Sequence, residues 1–207
     1  QLMPNRPIAK LTLYGDSISG NCLKTKWTAD YLGVDYAWIE VSVVEGGTRS
    51  DAFMQMNPSG QVPVMRLPDG RILPQSNAII LYLAEIGGGS ELIPTDPFEK
   101  AKMMSWLFWE QYSHEPYIAV ARFWMKFVSK EKLREKEHLI PDWHARGNAA
   151  LGVMEDHLKE TDWFVANHIS LADIALYAYT HCAQDGGFNL KTYPAVSAWL
   201  ARVATTK

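Results

Sequence analysis

A proline interrupts what otherwise reads as the start of a β-strand, and this position restricts the folds open to the chain. Residues 57–64 are Asn-Pro-Ser-Gly-Gln-Val-Pro-Val, so Pro63 lies between two valines. Proline has no backbone N–H and cannot donate to a sheet ladder, which confines it to sheet edges, bulges and tight turns. The pattern therefore predicts a strand from about Val64, with unpaired backbone just before it.

Strand and helix patterns alternate from residue 9 to residue 86. They predict strands at 10–14 and 36–41 and helices at about 20–32 and 50–56. A hairpin follows at 64–73, built around Pro-Asp-Gly, and then a helix over 78–86 with Ser76 as its N-cap. This βαβαββα order predicts a small mixed sheet with helices on both faces.

The second half of the chain carries only helical patterns. Residues 87–96 contain Gly-Gly-Gly-Ser and Pro-Thr-Asp-Pro, which indicate a linker. Beyond it, the pattern predicts one long helical region over 98–127, bent or interrupted at Pro116. Residues 130–137 are of mixed charge and predict a solvated helix face. Further helices are predicted at 142–158, 171–183 and 194–203, and Ser170-Leu171-Ala172-Asp173 has the form of a capping box.

Composition and charge exclude several functional classes. With 207 residues, 47% of them hydrophobic and 21% charged, the chain is long enough for one large or two small globular domains. A formal net charge of -3 with interleaved signs provides no basic surface for nucleic acid. No stretch approaches the roughly 20 apolar residues that span a bilayer, and the N-terminus lacks a signal-peptide core. We therefore expect a cytoplasmic protein without membrane partners, with Cys22 and Cys182 as free thiols.

Four short motifs follow one another along the chain: Leu13-Tyr14 with residues 17–21 (Ser-Ile-Ser-Gly-Asn), residues 57–63, Gln75-Ser76 opening a helix, and residues 170–173. Together and in this order, they resemble the motifs of the soluble glutathione transferases over nearly the whole chain. The resemblance, to bacterial serine-type members, implies an α/β plus all-α fold. A thioredoxin-like glutathione-binding domain would occupy residues 8–86, a linker 87–96, and an all-helical domain 97–207. It also implies a homodimer and a cis peptide bond before Pro63.

The resemblance also implies the reaction, which is addition of the glutathione thiolate to an electrophilic carbon, as in detoxification. A thiol with a pKa of about 8.5 is only a few per cent ionised at neutral pH. Lowering that pKa by about two units requires roughly 2.7 kcal/mol. A hydrogen bond to a charged group contributes about 1.5 to 3 kcal/mol, and a helix N-terminus about 0.3 to 2 kcal/mol. One hydroxyl at a helix start is therefore sufficient.

Ser19 stands at such a place, just before the helix predicted at 20–32, and matches the catalytic serine of the serine-type members. In an arbitrary protein it would be an N-cap without catalytic duty. Ser17 is the second candidate, and Asn21 resembles an asparagine that some bacterial members place near the sulfur. Cys22 completes a Cys-x-x-Cys pattern whose first cysteine is replaced by serine. We expect its thiol to be buried, although an exposed one would permit disulfide or peroxide chemistry.

The resemblance assigns the remaining glutathione contacts. The backbone of Val62, before Pro63, would pair with the cysteinyl backbone of glutathione as a neighbouring strand does. Gln75 and Ser76 would hold the γ-glutamyl group, with Ser76 and the helix N-terminus receiving its carboxylate. Gln75 replaces an acidic residue of many members and Gln61 a lysine of some, so both departures predict weaker contacts. The implied substrate pocket comprises Ile18, Trp109, Tyr112 and Tyr117, although aromatic residues at helical spacing are more often core.

The sequence leaves three functions open. The first is glutathione conjugation to hydrophobic electrophiles, with glutathione as co-substrate and no metal. The second is a glutathione-dependent peroxidase or disulfide-bond reductase, which some members with threonine or asparagine near the sulfur resemble. The third is a non-catalytic protein that binds apolar ligands, which the glutamines at positions 61 and 75 favour.

Overall fold

The computed structural model describes residues 10–88 and 91–206. Between Leu83 and Ala84 the chain divides into two compact units. The predicted first domain begins at residue 8, and the predicted linker 87–96 contains residues 89 and 90, which lie outside the described residues. The domain bounds and the linker therefore stay predictions.

A four-stranded mixed sheet forms the centre of the first unit. Its strands are β1 (Leu11–Gly15), β2 (Tyr36–Glu40), β3 (Val64–Arg66) and β4 (Ile72–Pro74), in the order β2-β1-β3-β4. β1 and β2 are parallel, whereas β1–β3 and β3–β4 are antiparallel. In this register Leu13 lies between Trp38 and Met65. The predicted βαβαββα order is confirmed.

Three helices accompany this sheet: α1 (Gly20–Leu32), α2 (Asp51–Met56) and α3 (Ser76–Ile86). Ser19 is the N-cap of α1, and Gly33 ends the helix in the left-handed conformation at φ 66°. The buried core of this unit draws on β1, β3, α1 and α3 and contains Leu11, Leu13, Ala29, Met65, Ile79 and Leu83.

Two sequence expectations near the hairpin have different outcomes. The Val62–Pro63 peptide bond is cis, as the resemblance implied. The prediction that Ser76 precedes its helix as an N-cap is wrong, because α3 begins at Ser76 itself. The preceding residue, Gln75, has φ 75° and therefore cannot continue the helix.

The second unit is helical. Its α-helices are α4 (Pro97–Trp109), α5 (Glu115–Arg122), α6 (Lys130–Arg134), α7 (Ile140–Glu160), α8 (Leu171–Thr180) and α9 (Pro194–Ala204). The helix predicted at 171–183 thus ends earlier, at Thr180. The mixed sheet of the first unit and the helices of the second confirm the predicted fold class, a thioredoxin-like domain followed by an all-helical one.

The long helix predicted over 98–127 is interrupted, but not at Pro116 itself. A π-helical turn, Glu110–His114, separates α4 from α5, and the N–H of Glu115 donates to the carbonyl of Glu110. Proline lacks an N–H and its ring clashes with the carbonyl four residues earlier. The wider turn therefore lies immediately before the proline.

Asp173 connects three segments of the second unit. The predicted capping box is present: the Ser170 N–H donates to Asp173 Oδ2 at 2.9 Å. Asp173 Oδ1 accepts from Trp199 Nε1 at 2.8 Å and from the Phe164 N–H at 3.2 Å. The carboxyl is fully buried, and this burial raises its pKa from 3.8 to about 6 despite the hydrogen bonds. Its role is structural.

Candidate functional site

The loop between β1 and α1 is organised by Asp16, which is 4% exposed. Its Oδ1 accepts from the N–H of Ile18 at 3.0 Å and its Oδ2 from the N–H of Val43 at 2.8 Å. Its carbonyl accepts from the N–H of Ser19 at 2.9 Å. Sequence reasoning missed Asp16, although an aspartate just after a strand is typical of such an Asx turn. Asp16 therefore determines where Ser19 enters α1.

Ser19 is placed at the helix start with its hydroxyl oxygen as an acceptor. Its backbone is extended at φ -88° and ψ 121°, and Oγ accepts from the N–H of Cys22 at 3.4 Å. This bond uses a lone pair of the hydroxyl rather than its proton. The side chain can therefore cap α1 and donate at the same time.

Ser17 has a different environment from Ser19. Its N–H donates to Glu40 Oε1 and its hydroxyl to Glu40 Oε2, both at 2.7 Å. Trp38 Nε1 donates to the same Oε2 at 2.7 Å. Partial burial alone would raise the pKa of Glu40, but these hydrogen bonds lower it below its ordinary value. The Ser17 proton is thus directed to a carboxylate, which favours Ser19 as the donor to a sulfur.

A buried lysine joins the starts of α1 and α3. Lys24 is 0% exposed, and its Nζ donates to Asn21 Oδ1 at 2.9 Å and to Asn77 Oδ1 at 3.3 Å. Lys24 Nζ also donates to Ser76 Oγ at 3.4 Å, and Ser76 Oγ donates to Asn21 Oδ1 at 3.2 Å. Two predicted site residues, Asn21 and Ser76, are therefore in direct contact. Sequence reasoning missed Lys24.

Cys22 is fully buried, as expected, and its burial raises its pKa to about 12. A thiol with this pKa is protonated at neutral pH, and the thiolate is the reactive species. Gly15 packs so closely that a Cβ there would lie 2.9 Å from the Cys22 Cβ. Cys22 is thus part of the core beneath the α1 N-terminus.

The segment before β3 exposes the backbone that the sequence predicted to be unpaired. Within residues 10–88, the N–H and carbonyl of Val62 form no hydrogen bond. Asn57 Nδ2 donates to the carbonyl of Gln61 at 2.8 Å, which holds the turn that leads to buried Pro63. The side chains of Gln61 and Gln75 are exposed, whereas Ser76 is 5% exposed.

The predicted pocket residues are distributed over both units of the chain. Ile18 is half-buried in the first unit. In the second unit, Trp109 packs edge-on against Trp106 at 5.2 Å, while Tyr112 is 83% exposed. The ring of Tyr117 lies beneath the Arg146 guanidinium at 5.4 Å. The pocket assignment stays a prediction for each residue.

Across residues 10–88 and 91–206, no three histidine, cysteine, aspartate or glutamate side chains cluster in a way that could hold a metal ion. In the same ranges, none of the helices combines the length and apolarity needed to cross a bilayer.

Family models match both parts of the chain. The model described as "Glutathione S-transferase, N-terminal domain" matches residues 18–86, and "Glutathione S-transferase, C-terminal domain" matches residues 111–206. The chain belongs to the glutathione S-transferase family. The predicted resemblance to this family is therefore confirmed, and the bacterial serine-type subclass stays a prediction.

Three relatives show how this glutathione S-transferase family member compares with known proteins. The crystal structure of a glutathione S-transferase from Pseudomonas fluorescens Pf-5 is 45% identical and covers 95% of this chain and 96% of its own, with a TM-score of 0.89. Protein LigF of Sphingobium sp. SYK-6 is 29% identical over 93% of this chain and 89% of its own. A Sulfitobacter glutathione transferase homologue, solved with bound glutathione, is 20% identical, covers 95% of this chain and 93% of its own, and shares the fold at a TM-score of 0.79.

Proposed function

We propose that this protein is a glutathione transferase that joins the glutathione thiolate to hydrophobic electrophiles, with Ser19 as the residue that stabilises the thiolate. The position of Ser19 carries the proposal. Its hydroxyl oxygen accepts from the Cys22 N–H through a lone pair, so this capping bond does not use the hydroxyl proton. The partial positive charge of the α1 N-terminus favours an anion at the same place.

The rest of the glutathione molecule would lie along the edge formed by the turn before β3 and the start of α3. The unpaired backbone of Val62 supports pairing with the cysteinyl residue. Ser76, the first residue of α3, supports binding of the γ-glutamyl carboxylate at a helix N-terminus. Gln75 would contact the γ-glutamyl group and Gln61 the glycine end, both through neutral amides.

The magnitudes agree with this assignment. A hydroxyl donor worth about 1.5 to 3 kcal/mol to the anion lowers a thiol pKa by about 1 to 2 units. At neutral pH this change raises the thiolate fraction by about 10-fold or more. Cys22, with a pKa raised to about 12, is unsuited to serve as the thiolate in a redox cycle. The peroxidase or disulfide-reductase alternative would therefore have to proceed without Cys22 as the thiolate.

The test compares Ser19→Ala with Ser17→Ala. We expect Ser19→Ala to lower kcat toward an aryl halide by about 10- to 100-fold with little change in glutathione affinity, since only the charged sulfur loses a partner. Ser17→Ala, which removes a hydroxyl that donates to Glu40, should leave kcat within about 2-fold of the wild type. Equal effects of the two substitutions would refute the role of Ser19.

Two further measurements separate the competing functions. A hydroperoxide assayed beside the aryl halide distinguishes peroxidase activity from conjugation. Calorimetry with millimolar glutathione distinguishes both from a non-catalytic protein that binds apolar ligands. Absence of glutathione binding would favour the binding protein.

We also propose that the protein is a homodimer that associates through α4. An exposed apolar stripe is formed by Phe98 and Phe108 of this helix and by Tyr112 in the π-helical turn that follows it, with exposures of 71%, 70% and 83%. Large apolar side chains aligned on one exposed face are typical of an interaction surface. Light scattering should give a dimer for the wild type and a monomer for Phe108→Ser. A monomeric wild type would contradict the proposal.

We also propose a bacterial source and a cytoplasmic location for the protein. The free thiols of Cys22 and Cys182 suit the reducing environment of the cytoplasm.

A further inference from the structure

A cavity of about 630 Å³ lies in the second unit, where α8, the segment after it and α9 meet. All the residues that line it fall between Tyr177 and Ala201, and none of them belongs to the candidate glutathione site. Small-molecule sites typically have volumes of about 300 to 1,000 Å³. This space, called the α8–α9 cavity below, is therefore large enough for a ligand of its own.

One part of the cavity lining is aromatic and aliphatic. The rings of Tyr177 and His181 are nearly parallel, at 6°, with their centroids 4.9 Å apart. His181 Nδ1 donates to the carbonyl of Tyr177 at 3.1 Å, and the Tyr177 ring packs edge-on against the buried Trp199. Leu190 and Leu200 add aliphatic surface. Because these contacts fix the two rings, a flat apolar ring can pack against this wall without rearranging the protein.

The other part of the lining carries hydrogen-bond donors and one positive charge. The N–H of Lys191 donates to Asn189 Oδ1 at 3.1 Å, which identifies the other amide atom of Asn189 as the NH₂ group. Across residues 10–88 and 91–206, neither this NH₂ group nor the Lys191 ammonium has a hydrogen-bond or ion-pair partner.

No nearby carboxylate offsets the Lys191 charge within the lining. None of the nine residues described along this cavity is an aspartate or a glutamate. Asp185, which lies in the same segment of chain, is paired with Arg122 at 3.4 Å and with Lys126 at 2.6 Å. The cavity therefore combines an aromatic wall with a positive, donor-rich side.

We propose that the α8–α9 cavity binds a planar aromatic carboxylate of one or two rings. The ring would pack against Tyr177, His181 and Leu200, and the carboxylate would accept from Lys191 Nζ and Asn189 Nδ2. An ionised carboxylate has acceptors only, so it matches these donors, whereas a cationic ligand would meet the charge of Lys191. The site involves no glutathione and no covalent step, and it is independent of the transferase function proposed above.

The first experiment is calorimetry of the whole protein with 1-naphthoate and with 1-naphthamide, which has a similar shape but no charge. We expect the wild type to bind 1-naphthoate about 5-fold more tightly than 1-naphthamide, which is the size of effect that an exposed ion pair supplies. Lys191→Gln should remove this preference by weakening only the binding of 1-naphthoate. Lys159→Gln is the matched control, because Lys159 is an exposed lysine of the same unit that pairs with Asp156 and does not line the cavity.

A second variant, Ala201→Trp, tests where the ligand lies. Ala201 is exposed on α9 and lines the cavity, so a tryptophan there can fill the space without disturbing the core. This variant should lose the binding of both compounds while its thermal unfolding stays close to that of the wild type.

Three results would overturn the proposal. The first is no binding of 1-naphthoate by the wild type at millimolar concentration. The second is wild-type affinity in a folded Ala201→Trp, which would place the ligand elsewhere on the protein. The third is an unchanged affinity of Lys191→Gln for 1-naphthoate, which decides the question even if Ala201→Trp does not fold. Glutathione conjugation is measured separately, so its failure would leave this inference untouched.

Discussion

Replacement of Asp173 by asparagine should make the pH dependence of stability measurably different from that of the wild type. The fully buried carboxyl has a pKa of about 6 in the folded protein, against an ordinary value of 3.8. A difference of about 2 units corresponds to about 3 kcal/mol. Because the folded state binds this proton more tightly than the unfolded state, the stabilisation is complete below about pH 4 and is lost as the pH rises through about 6. Asparagine has no such titration.

The hydrogen bonds of residue 173 determine a further, pH-independent difference in stability between the wild type and Asp173→Asn. Asparagine can keep the oxygen that accepts from Trp199 and Phe164, but its NH₂ would face the Ser170 N–H. Leaving that buried donor without an acceptor costs about 1 to 3 kcal/mol at every pH. Relief of the buried charge offsets this loss only when the wild-type carboxyl is ionised. The variant should therefore be clearly less stable in acid and nearly as stable as the wild type at neutral pH.

Urea unfolding followed by tryptophan fluorescence measures this difference. Between about pH 5 and about pH 7 the wild type should lose about 1 kcal/mol of unfolding free energy relative to Asp173→Asn. Asp96→Asn is the matched control, because Asp96 is the exposed N-cap of α4. A wild type that gains stability over this range relative to Asp173→Asn would refute the reasoning. That result would mean that the hydrogen bonds, and not burial, dominate the pKa of the carboxyl.

Three other substitutions or treatments have definite expected outcomes. Gln75→Gly should leave the free energy of unfolding unchanged or raise it by about 1 kcal/mol, because a φ of 75° suits glycine. Calorimetry should show weaker glutathione binding by this variant, and unchanged binding would mean that Gln75 is not part of the glutathione site. Gly15→Ala should lower the free energy of unfolding by about 1 to 3 kcal/mol, because the added Cβ would lie 2.5 Å from Trp38 Cη2 and overpack the core. Urea unfolding with the stability of the wild type would contradict this expectation. Alkylation followed by mass spectrometry should modify Cys182 before Cys22, which is fully buried; the reverse order would show that the helix start opens.

The order of elements could be predicted because its signals are local. The predicted helix at 20–32 has the observed bounds of α1, since Ser19 caps one end and Gly33 stops the other. Pro116 indicated an interruption in the right region, but the exact position depends on how the turn before it accommodates the ring. The predicted start of α3 was wrong by one residue. Gln75 adopts a left-handed conformation there, and no glycine in the sequence indicates it.

The site was only partly predictable, for a physical reason. Ser19 and Asn21 lie in one short motif, but Lys24 is a lysine within a helix, and most such side chains reach solvent. Its contacts with Ser76 and Asn77 exist only once α3 packs beside α1, so the sequence near Lys24 carries no sign of them. Ser17 and Ser19 likewise differ through Glu40, which the chain brings from the end of the next strand.

The π-helical turn at Glu110–His114 acts as a phase shift in the second unit. An α-helix turns about 100° per residue, and a π-helical turn contains one extra residue. Beyond such a turn, the sequence positions that face a given side of the helix are therefore shifted by about that angle. The exposed apolar residues Phe98, Phe108 and Tyr112 lie before or within this turn, whereas Ile118 in the next helix is buried. This turn thus marks the end of the exposed apolar residues proposed to form the dimer contact and the start of a helix that packs into the core of the second unit.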